Sequence, residues 1–410
     1  MLSISCGESK PRELSGLKEL DDDAFLDAIE RAAFLYFWEQ ASSTTGQIKD
    51  RAHANGIDSH VVSSVAATGF GLTALCIADQ RGYMSGSALL DRAQTTLNFL
   101  LNEMPHHNGF FYHFVDINSG ERAYECELSS IDTAILLCGV LTCRQHFQDQ
   151  KIIDLATEIY QRIDWPWMLN GKTTFSMGWT PDNGFLNAHW DTYSELMMLY
   201  LLAIGAPVKK IPADSWKEFS RPTLTFQDLT YITNPIAPLF IHQYSHAWFN
   251  FRGKQDAYAN YFDNSVIATQ SHKLFCASSL GSQFSDYSDK LWGMTASDSQ
   301  NGYVIWGGAP PMGPIDGSIV PCAAGGSIPF LPAECIEVLR NIQNWFPKAY
   351  QRYGFIDAFN PLSGWYAPQV IGIDVGIMML MAENQRTGFV WDTFMKNPEA
   401  MAAMEAVGFH

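Results

Sequence analysis

The chain has 410 residues, 47% of them hydrophobic, 13% aromatic and only 17% charged, against roughly 25% charged in an average soluble chain. Its net charge of −17, with no cluster of Lys and Arg, excludes a basic face for nucleic acid. No apolar run reaches the roughly 18 to 20 residues of a membrane span, and eight scattered cysteines with no Cys-x-x-Cys do not make a disulfide framework in a chain this long.

The N-terminal stretch from Met1 to Gly7 reads as the end of a lipoprotein signal, with Cys6 as the lipid anchor and a polar spacer, Glu8 to Asp23, behind it. That reading predicts a periplasmic or cell-surface protein; an ordinary disordered terminus is the plainer alternative. Residues 1–20 are expected to be a flexible segment and 21–410 one domain, because no linker interrupts them. Periodicity then predicts helices over 22–40, 62–80, 86–104, 128–148, 150–164, 191–204, 214–230, 236–250, 255–275, 332–346, 373–384 and 389–404, with a short piece near 323–330. Strand signals are weak, the best being a hairpin near Phe110 to Asp116 that turns at Asn118-Ser119-Gly120.

The connections alternate. Short ones follow 80, 148, 250 and 384, while long ones occupy 41–61, 105–127, 165–190, 276–322 and 347–372. Long loops in alternation with tight turns indicate repeated helical hairpins whose long loops emerge on one side. The helices after long loops (64–78, 130–141, 196–204, 373–382) are nearly free of polar residues, and those after short turns are amphipathic. Buried inner helices ringed by half-exposed outer ones describe an all-α (α/α)6 barrel, a toroid of six hairpins. The inner helices then start at the loop-rich mouth, where their dipoles converge.

Acids gather at those starts: Glu127 and Asp132 on the second inner helix, Asp191 and Glu195 on the third, Asp374 on the last. Singly, Asp132 and Asp374 could be helix-start stabilisers, and Asp191 an N-cap. Glu195 lies four residues beyond Asp191 against the apolar run 196–204, where a cap does not explain it and burial is costly unless the charge is paired or used. An Arg51 or Arg252 salt bridge is its plain alternative. His242 and His246 share a helix face, yet no third ligand accompanies them, so structural or substrate-bonding roles outweigh a metal site. Gly69-Phe70-Gly71 lies inside a helix and is no nucleotide fingerprint. The loops are rich in aromatics, among them Trp190, Trp292 and Trp365, which either pin loops or stack on sugar rings. Acids in an uncharged, aromatic-lined groove are the equipment for glycosidic hydrolysis, one carboxylic acid protonating the leaving oxygen while a carboxylate activates water or attacks carbon. Burial would raise the Glu195 pKa as a general acid requires.

Several segments are similar to the bacterial glycoamylase-like family, glycoside hydrolase family 144: Thr68 to Leu72, Glu127 to Ala134, His242 to Gly253, Gly325 to Phe330, Tyr353 to Asn360 and Gly372 to Asp374. The resemblance runs from about residue 25 to 400. It implies an (α/α)6 barrel and endo-β-1,2-glucanase activity with inversion, with Glu195 at the position of the family's acid and further essential acids between Glu127 and Asp132. We therefore expect Glu195 as general acid and Asp132 as base, with Asp374 and Glu127 as alternates. Asp50, Arg51, Trp190, Asp191, His246, Trp292, Asp298 and Trp365 are expected to hold glucosyl units of an oligo- or polysaccharide substrate, with no cofactor and no metal. Three rivals share this barrel: an exo-acting glycosidase, a transglycosylase, and a non-catalytic glucan-binding protein. A uronate lyase fits poorly, because such sites need cations and these loops carry few.

Overall fold

The computed structural model describes residues 20–56, 58–309 and 315–410, so Cys6 and the rest of the N-terminal segment lie outside the described residues. Among the described residues fourteen helices follow in chain order: α1 Asp22–Glu39, α2 Val65–Arg81, α3 Gly86–Asn102, α4 Ser130–His146, α5 Gln150–Gln161, α6 Trp165–Met168, α7 Met197–Gly205, α8 Tyr244–Trp248, α9 Tyr261–Phe275, α10 Pro321–Gly325, α11 Pro332–Trp345, α12 Gly372–Arg386, α13 Phe389–Phe394 and α14 Pro398–Ala406. Burial sorts them as their composition predicts. In α2 every residue from Val65 to Ala78 is buried. Its neighbour α3 buries a single stripe built on Leu89, Ala93, Leu97 and Leu100, the mark of a helix half in water.

Six buried helices close a ring. Helix α2 crosses α4 at two glycines: a Cβ on Gly139 would lie 2.1 Å from the carbonyl oxygen of Gly69. This close approach is the reason for the Gly69-Phe70-Gly71 sequence. Helix α4 packs on α7. The Ser245 hydroxyl accepts from Met198 N at 3.0 Å and so ties α7 to α8, and Gln243, just before α8, donates to Ala323 O of α10 at 2.9 Å. Gly325 seats Met378 between α10 and α12, and Gly376 seats Phe70 between α12 and α2. Helices α1, α3, α5, α9 and α11 stand outside the ring. Across its middle, Trp248 donates to Thr73 Oγ1 at 3.0 Å and its ring packs 4.9 Å from that of Phe70. The ring is therefore a bowl, plugged below and open where the inner helices begin.

The glycine crossing makes a direct prediction. Gly139→Ala would force a methyl into the α2 backbone, and overpacking of this kind costs roughly 1–3 kcal/mol. Denaturant unfolding should show the loss, and unchanged stability would contradict this account of the crossing.

Five helix expectations are corrected, the first being 389–404, which divides into α13 and α14 ahead of Pro398. The segment 214–230 is a 3-10 turn, Ala213–Lys217, followed by a hairpin of Thr223–Phe226 with Leu229–Ile232. Its Thr, Tyr and Ile residues favour a pleated surface, and Gln227 takes a positive φ of 51° at the turn. The span 236–250 breaks into a 3-10 turn and the short α8. Helix α9 begins at Tyr261 rather than 255, because Asn260 caps it by accepting from Phe262 and Asp263 N. Helix α7 begins at Met197, so Asp191 is no N-cap and Glu195 stands in the turn ahead of the helix. The hairpin expected near 110–116 is also divided: His106–His107 pairs with Phe110–Phe111, and Phe114–Asp116 pairs instead with Val62–Ser64.

Candidate active site

Short strands lead straight into three inner helices and fix what each presents at its first turn. Val62–Ser64 runs into α2, Leu128–Ser129 into α4 and Gln369–Ile371 into α12. Ser129 caps α4 by accepting from Asp132 N at 3.2 Å, and its hydroxyl donates in turn to Asp132 Oδ2. The Ser129 cap stabilises the helix start, and Asp132, in the first turn, adds to it as a helix-start stabiliser. The strand Arg51–His53 pairs antiparallel with Gln369–Ile371, and Gly372 N donates to Asp50 O at 2.7 Å. Asp50 and Arg51 are thereby set beside Asp374 at the start of α12. Ser245 Oγ donates to the Glu195 carbonyl at 2.6 Å, which pins the turn carrying that side chain.

These starts surround a cavity of about 400 Å³. Asp132, Glu195, Asp374, Asp50 and Arg51 line it, with His113 and the aromatic residues Phe114, Phe240, Tyr244 and Tyr303. Four acids thus meet in one bowl with apolar walls: Asp132 and Asp374 from the first turns of α4 and α12, Glu195 from the turn ahead of α7, and Asp50 from the segment before Arg51–His53.

Their environments differ, and the differences assign chemistry. Glu195 is 9% exposed. Burial, aided by the negative charge of Asp132, pushes its carboxyl up to about 7, so at neutral pH it keeps a proton much of the time. Asp132 is served by donors instead: the Ser129 hydroxyl on one oxygen and His113 Nε2 at 3.5 Å from the other. His113 Nδ1 meets Glu127 Oε1 at 3.1 Å. Burial opposes a charge on His113, but Asp132 and Glu127 outweigh it and raise the imidazole to about 9. A protonated ring therefore lies between the two acids, bonded to Glu127 and 3.5 Å from Asp132. The ligand atoms of His113, Glu127 and Asp132 lie within 4.8 Å of one another and could hold a metal ion; here His113 is bonded to Glu127 and ion-paired with Asp132.

On the opposite wall Arg51 donates to both Asp298 oxygens, at 3.1 and 3.0 Å, and to Asp50 at 3.0 Å. Asp374 is pushed up to about 6, chiefly by burial. Beside it stands Asp357, 3% exposed, which takes Asp298 N at 2.6 Å.

Of the sequence candidates, then, Glu195, Asp132, Asp374, Asp50 and Arg51 line the cavity, and Asp298 is held at its edge by Arg51. Glu127 is not on the cavity wall but behind His113. His246 and Trp292 are corrected, and Trp190, Asp191 and Trp365 lie outside the cavity lining. His246 is 1% exposed, enclosed by Phe251, Phe262 and Phe330, and burial pushes it down to about 3; it is a neutral core histidine. Trp292 is 0% exposed beside His272 and offers no face to a sugar. Trp190 is half-buried and donates to Ser130 Oγ at 2.9 Å, a packing bond. Asp191 is exposed on the loop before α7, and Trp365 is half-buried in the pair Phe359–Asn360 with Trp365–Tyr366; neither lines the cavity. The cavity's aromatic faces come from Phe114, Phe240, Tyr244 and Tyr303 rather than from tryptophan. His113 and Asp357 were also missed. His113 sat in a segment read only as a strand, and Asp357 in the apolar Gly354-Phe355-Ile356-Asp357-Ala358-Phe359, where a lone acid was itself the signal.

Comparison with known proteins places the chain in a family and beside solved structures of the same fold. The Glycoamylase family model, described as a putative glucoamylase, matches residues 187–398. The chain is 27% identical to an endo-β-1,2-glucanase of Chitinophaga pinensis, solved as a sophorotriose and glucose complex, with a TM-score of 0.86 over 95% of this chain and 99% of that one. A Bacteroides caccae protein carrying the same description as the family model is also 27% identical, with a TM-score of 0.87 over 95% of this chain and 100% of that one. A Parabacteroides distasonis exo-β-1,2-glucooligosaccharide sophorohydrolase, acting from the non-reducing end, is 25% identical over 95% of this chain; the chain spans 58% of its length.

Proposed function

The chain belongs to the glycoamylase family, and from that premise and the bowl of acids we propose that it hydrolyses β-1,2-linked glucan, cutting within the chain. The observation that carries the reading is the split between Glu195, buried and inclined to hold a proton in the turn before α7, and Asp132, bonded by Ser129 and paired with His113 at the start of the neighbouring α4, in one cavity. Glycosidic cleavage needs that division: a neutral acid for the leaving oxygen and a carboxylate for water. Glu195 is the proton donor, Asp132 the base that draws a proton from water, and Asp374 the alternate base. Asp50, Arg51 and Asp298 bond glucosyl hydroxyls, and Phe114, Phe240, Tyr244 and Tyr303 supply apolar faces. Glu127 acts through His113, holding the imidazole against Asp132.

Action within the chain is favoured because the likeness to the endo-acting Chitinophaga enzyme runs over nearly the whole of both proteins, whereas the exo-acting relative is matched over 58% of its length. A periplasmic or cell-surface location suits a polymeric substrate and is part of the same proposal. The test is a panel of linear glucans of defined linkage, read by new reducing ends and product lengths. Mixed-length oligosaccharides from β-1,2-glucan alone are expected. Release of disaccharide only would replace internal by terminal cutting, and binding without new reducing ends would defeat the hydrolase reading.

A further inference from the structure

Two buried carboxyl groups on the Arg51 side of the cavity are incompletely bonded, and each lacks its partner at one oxygen. Asp357 Oδ2 accepts from Asp298 N, but its Oδ1 has no donor. Asp374 Oδ1 accepts from Cys322 Sγ at 3.3 Å, but its Oδ2 has no donor. The two buried carboxyl groups lie side by side, within reach of one shared proton. A buried acceptor without a donor costs roughly 1–3 kcal/mol, and two carboxylates in contact cannot both be ionised cheaply. One proton between the orphaned oxygens removes both penalties.

We propose that Asp357 is a positioning residue that shares one proton with Asp374 and so holds Asp374 as a charged carboxylate facing the substrate. The proton rests on Asp357, which is set back from the cavity wall, and is donated to the buried Oδ2 of Asp374, a residue of that wall. Burial, and next the charge of Asp374, hold the Asp357 carboxyl far above the usual carboxylate range. The other groups facing the pair are Asp298 and Asp50, with Arg51 between them, and the neutral Cys322, Tyr244 and Tyr303. Asp298 and Asp50 both oppose a charge on Asp374, so without the donated proton Asp374 would be protonated more readily. The inference rests on the hydrolase reading for its kinetic consequence but not for the proton itself.

The experiment therefore has two arms. Infrared spectra at pH 8 compare Glu195→Gln with Glu195→Gln/Asp357→Asn, a background in which Glu195 contributes no acid band. Loss of one protonated-carboxyl C=O band in the double variant is expected; an unchanged acid region would overturn the shared proton, whether or not the protein is a hydrolase. In the second arm, Asp357→Leu should lower kcat/KM for β-1,2-glucan by roughly 10- to 100-fold and move its acid limb up by about one pH unit. Asp357→Asn, whose amide N–H replaces the donor, should restore most of the rate and return the limb. An acid limb that stays put in Asp357→Leu, or an Asn variant as impaired as Leu, would contradict the positioning role. Wild-type protein that cuts no glucan would defeat the proposed function and leave the infrared result standing.

Discussion

Glu195→Gln is expected to lower hydrolysis of β-1,2-glucan by about 10²- to 10⁴-fold while leaving the fold and glucan binding in place. The amide is nearly isosteric and can still bond the leaving oxygen, but it cannot give up a proton. KM should move little, because the loss falls on a step of the transition state. The wild-type rate should itself fall as pH rises through about 7, where Glu195 loses its proton. Stability should follow the same group. Its folded pKa lies above the ordinary 4.5, so the folded state holds a proton that the unfolded chain releases. Stability is therefore greatest below 4.5 and falls as pH rises to 7, by an upper limit of about 3 kcal/mol. Glu195→Gln should abolish that decline, and unfolding curves at pH 5 and 8.5 would show it. A variant inactive yet more stable than wild type at pH 8.5 is the signature of a group strained for chemistry; turnover retained in the Gln variant would remove Glu195 from the mechanism.

Asp132→Asn is expected to cost about 10²- to 10⁴-fold in kcat as well, for the opposite reason: the amide cannot accept a proton from water. Ser129 and His113 would keep donors aimed at the site, so helix α4 should remain capped. The His113 ring offers a second readout. It is raised to about 9 largely by Asp132 and Glu127, so removing one of those charges should lower its titration, as seen by NMR of the ring protons. If Asp374 were instead the base, Asp132→Asn would retain most of its rate and Asp374→Asn would lose it. Neither result would disturb the assignment of Glu195.

Much of the ring was legible because its physical signals are local and strong. Alternating loop lengths and polar-free helices require an inner and an outer layer, and the acids at inner-helix starts do converge. The misplaced elements had weaker signals. Helix α7 starts late because the chain from Asp191 to Leu196 is held by contacts distant in sequence, Ser220 N on the Asp191 carbonyl and Ser245 on that of Glu195. The hairpin after Pro222 has β-branched residues at roughly helical spacing, so periodicity alone misled. Among site residues, composition could not separate aromatics that pin loops from those that face the bowl. Trp292 and His246 are fully buried by residues from other hairpins, and nothing within a few residues of either announces it. His113 and Asp357 stand beside partners distant in sequence, Glu127 with Asp132 and Asp298 with Asp374, which the fold brings together from separate loops and helix starts.

The most direct test of the central claim is a crystal structure of the Glu195→Gln variant with a linear β-1,2-glucan bound across the cavity. The account predicts a glycosidic oxygen within hydrogen-bonding reach of the residue-195 amide, about 2.6–3.2 Å, and a water between the adjoining anomeric carbon and Asp132. A chain seated with its scissile oxygen against Asp374 or Asp50, and residue 195 remote from it, would contradict it.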